Sequence, residues 1–196
     1  MPYELKSARF LARDALHQAV LPGSTVVDAT MGNGHDTLFL AEQVGPDGRV
    51  YAFDIQESAV ESTRKLLEDH SVSDRVTLFC RSHADLAEVV PSGISAAVFN
   101  LGWLPGGDHG ITTRCASTEK AILGALELLK PGGIVAVCAY PGHEEGFRDL
   151  EMLTGLLSGL SNRMYNVLRQ SFLNAGAGAP ECFIVQKLCQ FSVRKE

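Results

Sequence analysis

The sequence predicts an α/β fold: a doubly wound, mostly parallel seven-stranded sheet closed by an antiparallel C-terminal hairpin. Three observations predict it. Short apolar strand-like runs alternate with helical segments through five strands, the pattern of a parallel sheet covered on both faces. The last two strand runs follow each other with no helix between them, so they must pair antiparallel, because a parallel pair needs a crossover. The 196 residues contain no repeat, low-complexity tract or linker, so residues 1–196 form one domain, given roughly 150 residues per domain.

Each element has its own signal. Leu5 to Val20 reads as an amphipathic helix with Phe10, Leu11, Ala15, Leu16 and Ala19 on one side, ended by Pro22-Gly23. Thr25 to Asp28 is a short buried strand, followed by a glycine-rich turn and a helix over Thr37 to Val44. Pro46-Asp47-Gly48 turns the chain into a second strand, Arg49 to Asp54. Ser58 to His70 is helical, with Ser58 and Glu61 at capping-box spacing. A third strand over Val76 to Cys80, a short helix over Asp85 to Val90 and a fourth strand over Ile94 to Asn100 come next. Ser117 to Leu129 is a helix stopped by Lys130-Pro131-Gly132-Gly133, and Ile134 to Tyr140 is the fifth strand. Glu144 to Leu157 is the last helix; strands near Tyr165 to Leu173 and Cys182 to Leu188 form the hairpin.

Composition narrows the setting. Hydrophobic residues at 45% and charged residues at 20% are ordinary globular values and exclude a disordered chain. No apolar run is long enough for a membrane span, and Met1 to Lys6 has no signal-peptide core, so a soluble, cytoplasmic protein with no membrane partner is expected. Seventeen basic against twenty-three acidic residues give a net charge of −6, which excludes a global electrostatic grip on nucleic acid but leaves a local basic face open. Lys6, Arg9 and Arg13 form such a face on the first helix; Arg114, Arg163 and Arg169 are weaker candidates for phosphate contacts. Five cysteines without a C-x-x-C pair read as small buried hydrophobes, and no motif supports a metal.

Ligands of such sheets bind beyond the carboxyl ends of the strands. The first strand runs into Asp28-Ala-Thr-Met-Gly32-Asn33-Gly34-His-Asp36-Thr37, where glycines allow close approach and the following helix offers free N–H groups. Asp54 ends the second strand, placed to accept both hydrogen bonds of a ribose diol. A nucleoside-containing ligand follows from the pair. Asp28 and Asp36 would repel a pyrophosphate and suit a cation, and position 37 is Thr where a dinucleotide site needs a small residue. These features point to S-adenosylmethionine, with its ammonium, sulfonium and single ribose, over a nicotinamide dinucleotide.

The strings Asp28-Ala-Thr-Met-Gly-Asn-Gly-His-Asp-Thr37, Asp54-Ile-Gln56, His83 and Asn100-Leu-Gly-Trp103-Leu-Pro-Gly-Gly-Asp108 resemble the small bacterial class I methyltransferases labelled rRNA methylases, over nearly the whole chain. That family includes a methyltransferase of the tRNA wobble nucleoside 5-aminomethyl-2-thiouridine. The resemblance implies that Asn33, Gly34 and Asp36 hold the methionine and sulfonium end, Asp54 the ribose, Gln56 the neighbouring adenosine edge, and His83 the adenine. A neutral histidine can both donate and accept there. It also implies a homodimer, and an RNA substrate: the aminomethyl group in the tRNA anticodon, or a base of rRNA.

Asn100-Leu101-Gly102-Trp103 stands where amino-methylating enzymes carry Asp/Asn-Pro-Pro-aromatic. There the polar side chain accepts a hydrogen bond from the target amine, and the aromatic ring stacks on the base. Leu-Gly in place of Pro-Pro makes a less rigid loop, suited to an amine on a flexible arm. An alkylamine is mostly protonated at neutral pH, so Asp108, His109 and His143 are candidates for a base or proton relay. A noncatalytic nucleoside-binding partner protein is the reading from another class.

Overall fold

The computed structural model describes residues 7–102, 115–176 and 178–189. The chain order is α1 (Ala8–Ala19), β1 (Thr25–Asp28), α2 (His35–Val44), β2 (Arg49–Asp54), α3 (Glu57–Asp69), β3 (Val76–Cys80), α4 (Leu86–Val89), β4 (Ile94–Asn100), α5 (Cys115–Leu128), β5 (Leu129–Ala139), α6 (Glu144–Ser158), β6 (Tyr165–Gln170) and β7 (Glu181–Lys187). The seven strands lie in the order β3-β2-β1-β4-β5-β7-β6. The first five are mutually parallel, and β7 runs antiparallel to both β5 and β6. The predicted doubly wound sheet with a C-terminal hairpin is therefore the observed one.

Strand periodicity divides the core in two. Val27, Ala97, Phe99, Val135 and Val137 point to the face covered by α4, α5 and α6. Their neighbours Val26, Ala96, Val98, Ala136 and Cys138 point to the face covered by α1, α2 and α3. β4 is buried at all six positions from Ile94 to Phe99, because the sheet's centre is roofed on both sides. No helix among the described residues is long and apolar enough to cross a membrane.

Several local expectations are corrected. The Ser58–Glu61 capping box does not form: α3 starts at Glu57, its N-cap Gln56 makes no side-chain cap bond, and Ser58 lies inside the first turn. Lys130 to Gly133 does not separate a helix from a strand. β5 already begins at Leu129, and those residues sit in a register irregularity between the Ile94–Leu129 and Ala96–Ile134 pairs. Gly132 has φ +82°, so the turn signal was real but marks a bulge. On α1 the buried stripe is Ala8, Ala12 and Leu16 rather than one through Phe10, which is exposed. Cys138 and Cys182 face each other, buried, across β5 and β7, whereas Cys80 and Cys189 are exposed.

The strand order reverses between β1 and β4, since β1 leads outward through α2 to β2 while β4 lies on its other side. Helices on opposite faces diverge at that point and leave a crevice above the carboxyl ends of β1, β2 and β4.

Candidate functional site

A cavity of about 750 Å³ opens there, within the range of small-molecule sites. Its wall includes Gly32, Asn33, Asp36, Asp54, Gln56 and His83 on one side. Asn100, Gly102, Tyr140 and His143 complete it on the other. Eight of the predicted site residues thus come together: Gly32, Asn33, Asp36, Asp54, Gln56, His83, Asn100 and His143. Trp103, Asp108 and His109 lie outside the described residues.

The remaining predicted residues support the loop from beneath. Asp28 is fully buried, and its carboxylate accepts from the Thr30 N–H (3.2 Å) and the Thr37 hydroxyl (2.7 Å). Neither Asp28 nor Thr37 reaches the cavity. Burial, reinforced by the nearby Asp36 charge, raises the Asp28 pKa to about 7 against the pull of those two hydrogen bonds. Gly34 caps α2 with φ +82°, and a Cβ there would stand 2.8 Å from Thr63 Oγ1. Its role is to let α2 and α3 approach.

Asp36 departs furthest from expectation. Its carboxylate is bound by Arg9 (Nε to Oδ2 3.1 Å, Nη2 to Oδ1 3.1 Å) and by Arg13 (Nε to Oδ1 2.7 Å). Arg13 also donates to the His35 carbonyl (2.7 Å) and lies over the Phe39 ring. Arg9 and Arg13 of the predicted stripe therefore set two guanidiniums against one carboxylate, and Arg9 lines the cavity; Lys6, like Arg114, lies outside the described residues. With Asp28 buried and Asp36 paired, the expected electronegative loop is absent; the charge argument against a pyrophosphate loses its basis. Arg169 is likewise paired, with Glu181.

Asp54 and His83 keep the character expected of nucleoside ligands. Asp54 Oδ2 accepts from Gly32 N–H (3.1 Å) and Oδ1 from Gln56 N–H (2.9 Å), each oxygen retaining a lone pair. His83 Nδ1 lies 3.1 Å from the Ala29 carbonyl, and a carbonyl only accepts, so Nδ1 carries the proton. Its Nε2 is buried with no hydrogen-bond partner among the described residues. The free ring nitrogen of His83 is thus an acceptor only, rather than a donor and acceptor. Burial lowers its pKa, despite the raising effects of the Ala29 carbonyl, Asp54 and Asp85, and keeps the ring neutral. Ser82, not His83, caps the short helical turn that follows.

Asn100 ends β4 with its backbone N–H on Thr30 Oγ1 (2.7 Å) and its Nδ2 on Asp36 Oδ2 (3.0 Å). Its Oδ1 is buried without a partner among the described residues. The chain then leaves in its own direction: Leu101 donates to the Cys138 carbonyl (2.9 Å) and packs in the core, and Gly102 has φ +135°. No proline could take that φ, so Leu-Gly is a different exit from the strand, not a loosened Pro-Pro. His143 Nδ1 accepts the Gly146 N–H (3.1 Å) and caps α6.

Comparison with known proteins identifies the group. The model of a family described as "Putative rRNA methylase" matches residues 50–186. The chain belongs to this family. A chloroplastic "tRNA (mnm(5)s(2)U34)-methyltransferase" from Arabidopsis thaliana is 40% identical over 166 residues, 79% of this chain and 60% of that protein. The chain thus spans about 60% of the length of this curated relative. Among solved structures, a "putative rRNA-methylase" from Clostridium thermocellum superposes with TM-score 0.93 at 40% identity, covering 95% of this chain and 100% of that one. A "putative methyltransferase" from Streptococcus mutans, solved with S-adenosylhomocysteine (SAH), gives 0.86 at 34% identity, covering 94% and 100%. Both superpositions take in the seven-stranded sheet described above.

Among the wall residues that sequence reasoning missed are Arg9, Thr30 and Tyr140. Arg9 was read as a phosphate ligand, and only the packing of α1 over α2 reveals its partner. Thr30 and Tyr140 stand at strand ends, so position alone signalled them. Burial, chiefly, raises the Tyr140 pKa, so the hydroxyl stays protonated.

Proposed function

We propose that the protein transfers a methyl group from S-adenosylmethionine to an amine on RNA, and that this amine is the aminomethyl nitrogen of 5-aminomethyluridine, with or without a 2-thio group, at the tRNA wobble position. The observation that carries the reading is Asn100 at the end of β4, a cavity-lining residue whose buried Oδ1 has no hydrogen-bond partner among the described residues. An unpaired buried acceptor costs about 1–3 kcal/mol, so the site is built for a ligand N–H. The 40% identical relative whose name specifies the wobble uridine supports the choice of RNA and nucleoside.

The wall fits the cofactor. His83 Nε2 would accept from the exocyclic amine of adenine, Asp54 would receive the ribose hydroxyls, and Gln56 and Asn33 would border the nucleoside and the methionine end. When bound, the sulfonium supplies an electrophilic methyl: a carbon–nitrogen bond forms, the carbon–sulfur pair returns to sulfur, and one proton leaves nitrogen for solvent. Asn100 accepts one N–H of the amine and so aims its lone pair; such alignment is where most of the rate would arise. Methylation of an rRNA base is a second reading, favoured by the family's description.

The test is methyl transfer from labelled S-adenosylmethionine to total RNA from cells lacking the gene, with tRNA and rRNA separated afterwards. Label in tRNA, recovered as methylated aminomethyluridine and reduced about 100-fold or more by Asn100→Ala, is the expected outcome. Label confined to rRNA would replace the wobble reading with the second one.

A further inference from the structure

We infer that Asp36 is a positioning residue for Asn100, held in place by Arg9 and Arg13 of α1, and that its task is to turn the Asn100 carbonyl oxygen toward the target amine. This rests on the reading of Asn100 as the amine's acceptor. A side-chain amide presents a donor and an acceptor of nearly equal size, and only its partners decide which faces the ligand. Every described contact on the Asp36 carboxylate comes from a donor: Arg9 and Arg13 on Oδ1, Arg9 and the Asn100 amide on Oδ2. The carboxylate offers Asn100 nothing to accept. Nδ2 must therefore turn to Asp36, and Oδ1 is left buried, with no partner among the described residues.

The backbone closes the alternative. Asn100 N–H is committed to Thr30 Oγ1 (2.7 Å), so residue 100 cannot pivot as a whole. A flipped amide would set its oxygen against the carboxylate and present N–H groups to an amine whose N–H needs an acceptor. Asp36 side-chain atoms are only 8% exposed, against 40% for Arg9 and 28% for Arg13. The guanidiniums thus close the solvent side of the carboxylate while α2 supplies its backbone. A direct role for Asp36 on the methionine ammonium would compete with donors that already occupy both oxygens.

The experiment is a double-mutant cycle on the full chain, with Asp36→Ala, Asn100→Ala and the pair. Each is read for SAH affinity by calorimetry and for kcat and KM with tRNA from the gene-deleted strain. Asp36→Ala is expected to lower kcat about 10- to 100-fold while SAH affinity and KM stay within about threefold. In the Asn100→Ala background it should cost nothing more, because a residue acting through another loses its effect when the other is gone. Asp36→Asn, which keeps the volume and one acceptor oxygen, runs the same cycle with packing retained and should lose an intermediate factor. Weakened SAH binding with kcat preserved would make Asp36 a cofactor ligand and overturn the inference; so would single-mutant losses that multiply in the pair. Full activity of Asp36→Ala beside an inactive Asn100→Ala sinks the coupling alone. An active Asn100→Ala sinks the reading of Asn100 along with it.

Discussion

Single side chains here are defined by what they are denied. His83 and Asn100 each line the cavity, spend one polar atom on the protein and keep a buried acceptor with no partner among the described residues. Asp28 is the opposite case, fully buried with its oxygens met by Thr30 and Thr37 and its pKa raised to about 7. Between about pH 4, where the unfolded side chain ionises, and pH 7, the native state holds a proton that the unfolded state has lost. Stability from this group is accordingly greatest at low pH and declines as pH rises toward 7. Replacing Asp28 by Asn should raise unfolding free energy by about 1–2 kcal/mol at pH 5 as an order of magnitude. At pH 8 it should raise unfolding free energy by up to about 4 kcal/mol as an order of magnitude, the Thr37 hydroxyl turning to accept from the new amide. Urea unfolding at the two pH values checks this, and a difference independent of pH would show that Asp28 does not carry the linkage.

Among the elements, α1 and the α2–α3 contact shape the cavity wall. α1 buries Ala8, Ala12 and Leu16 against the sheet, which leaves Arg9 and Arg13 over the start of α2. The turn into α2 requires Gly34, in the left-handed region with φ +82° and with Thr63 directly against it. Gly34→Ala incurs both the backbone strain and the clash, so a destabilisation of about 1–3 kcal/mol is expected. Thr63 also donates to the Gly32 carbonyl (3.0 Å), so the displaced contact lies next to the cavity wall. Weaker SAH binding should accompany the lower melting temperature. A variant that melts lower yet binds SAH normally would confine the role of Gly34 to packing.

For the whole molecule, the site is a consequence of strand order. The crevice exists because β1 and β4 are neighbours whose connections leave in opposite directions, and the ligand-facing residues come from strand ends far apart in the chain. A ligand spanning those ends should hold the fold together. At a hundredfold excess over its Kd, SAH should contribute about 2.7 kcal/mol through mass action, a rise in Tm of about 5–10 °C for a chain of this size. NAD at the same concentration should give no shift. A comparable shift with NAD would return the dinucleotide reading that the paired state of Asp36 has left without an electrostatic objection.

The sequence by itself determined the fold class, the order of elements and the strand ends where the site lies. Strand–helix alternation, two terminal strands without a crossover, and glycine and acid at successive strand ends are local signals that tertiary contacts had no reason to override. It also carried the family, through Asp28 to Thr37 and Asn100 to Asp108. What it did not carry was the pairing of its charges. Arg9 and Arg13 lie more than twenty residues from Asp36 along the chain, and they look like a solvated stripe and a cation site. Only the packing of α1 over α2 brings them together, because the partner of a charge depends on distance in space, which no periodicity along the chain encodes. The same holds for the orientation of Asn100 and the proton on His83. Each is set by an atom on another element, so the tertiary structure alone decides which face of these side chains a ligand meets.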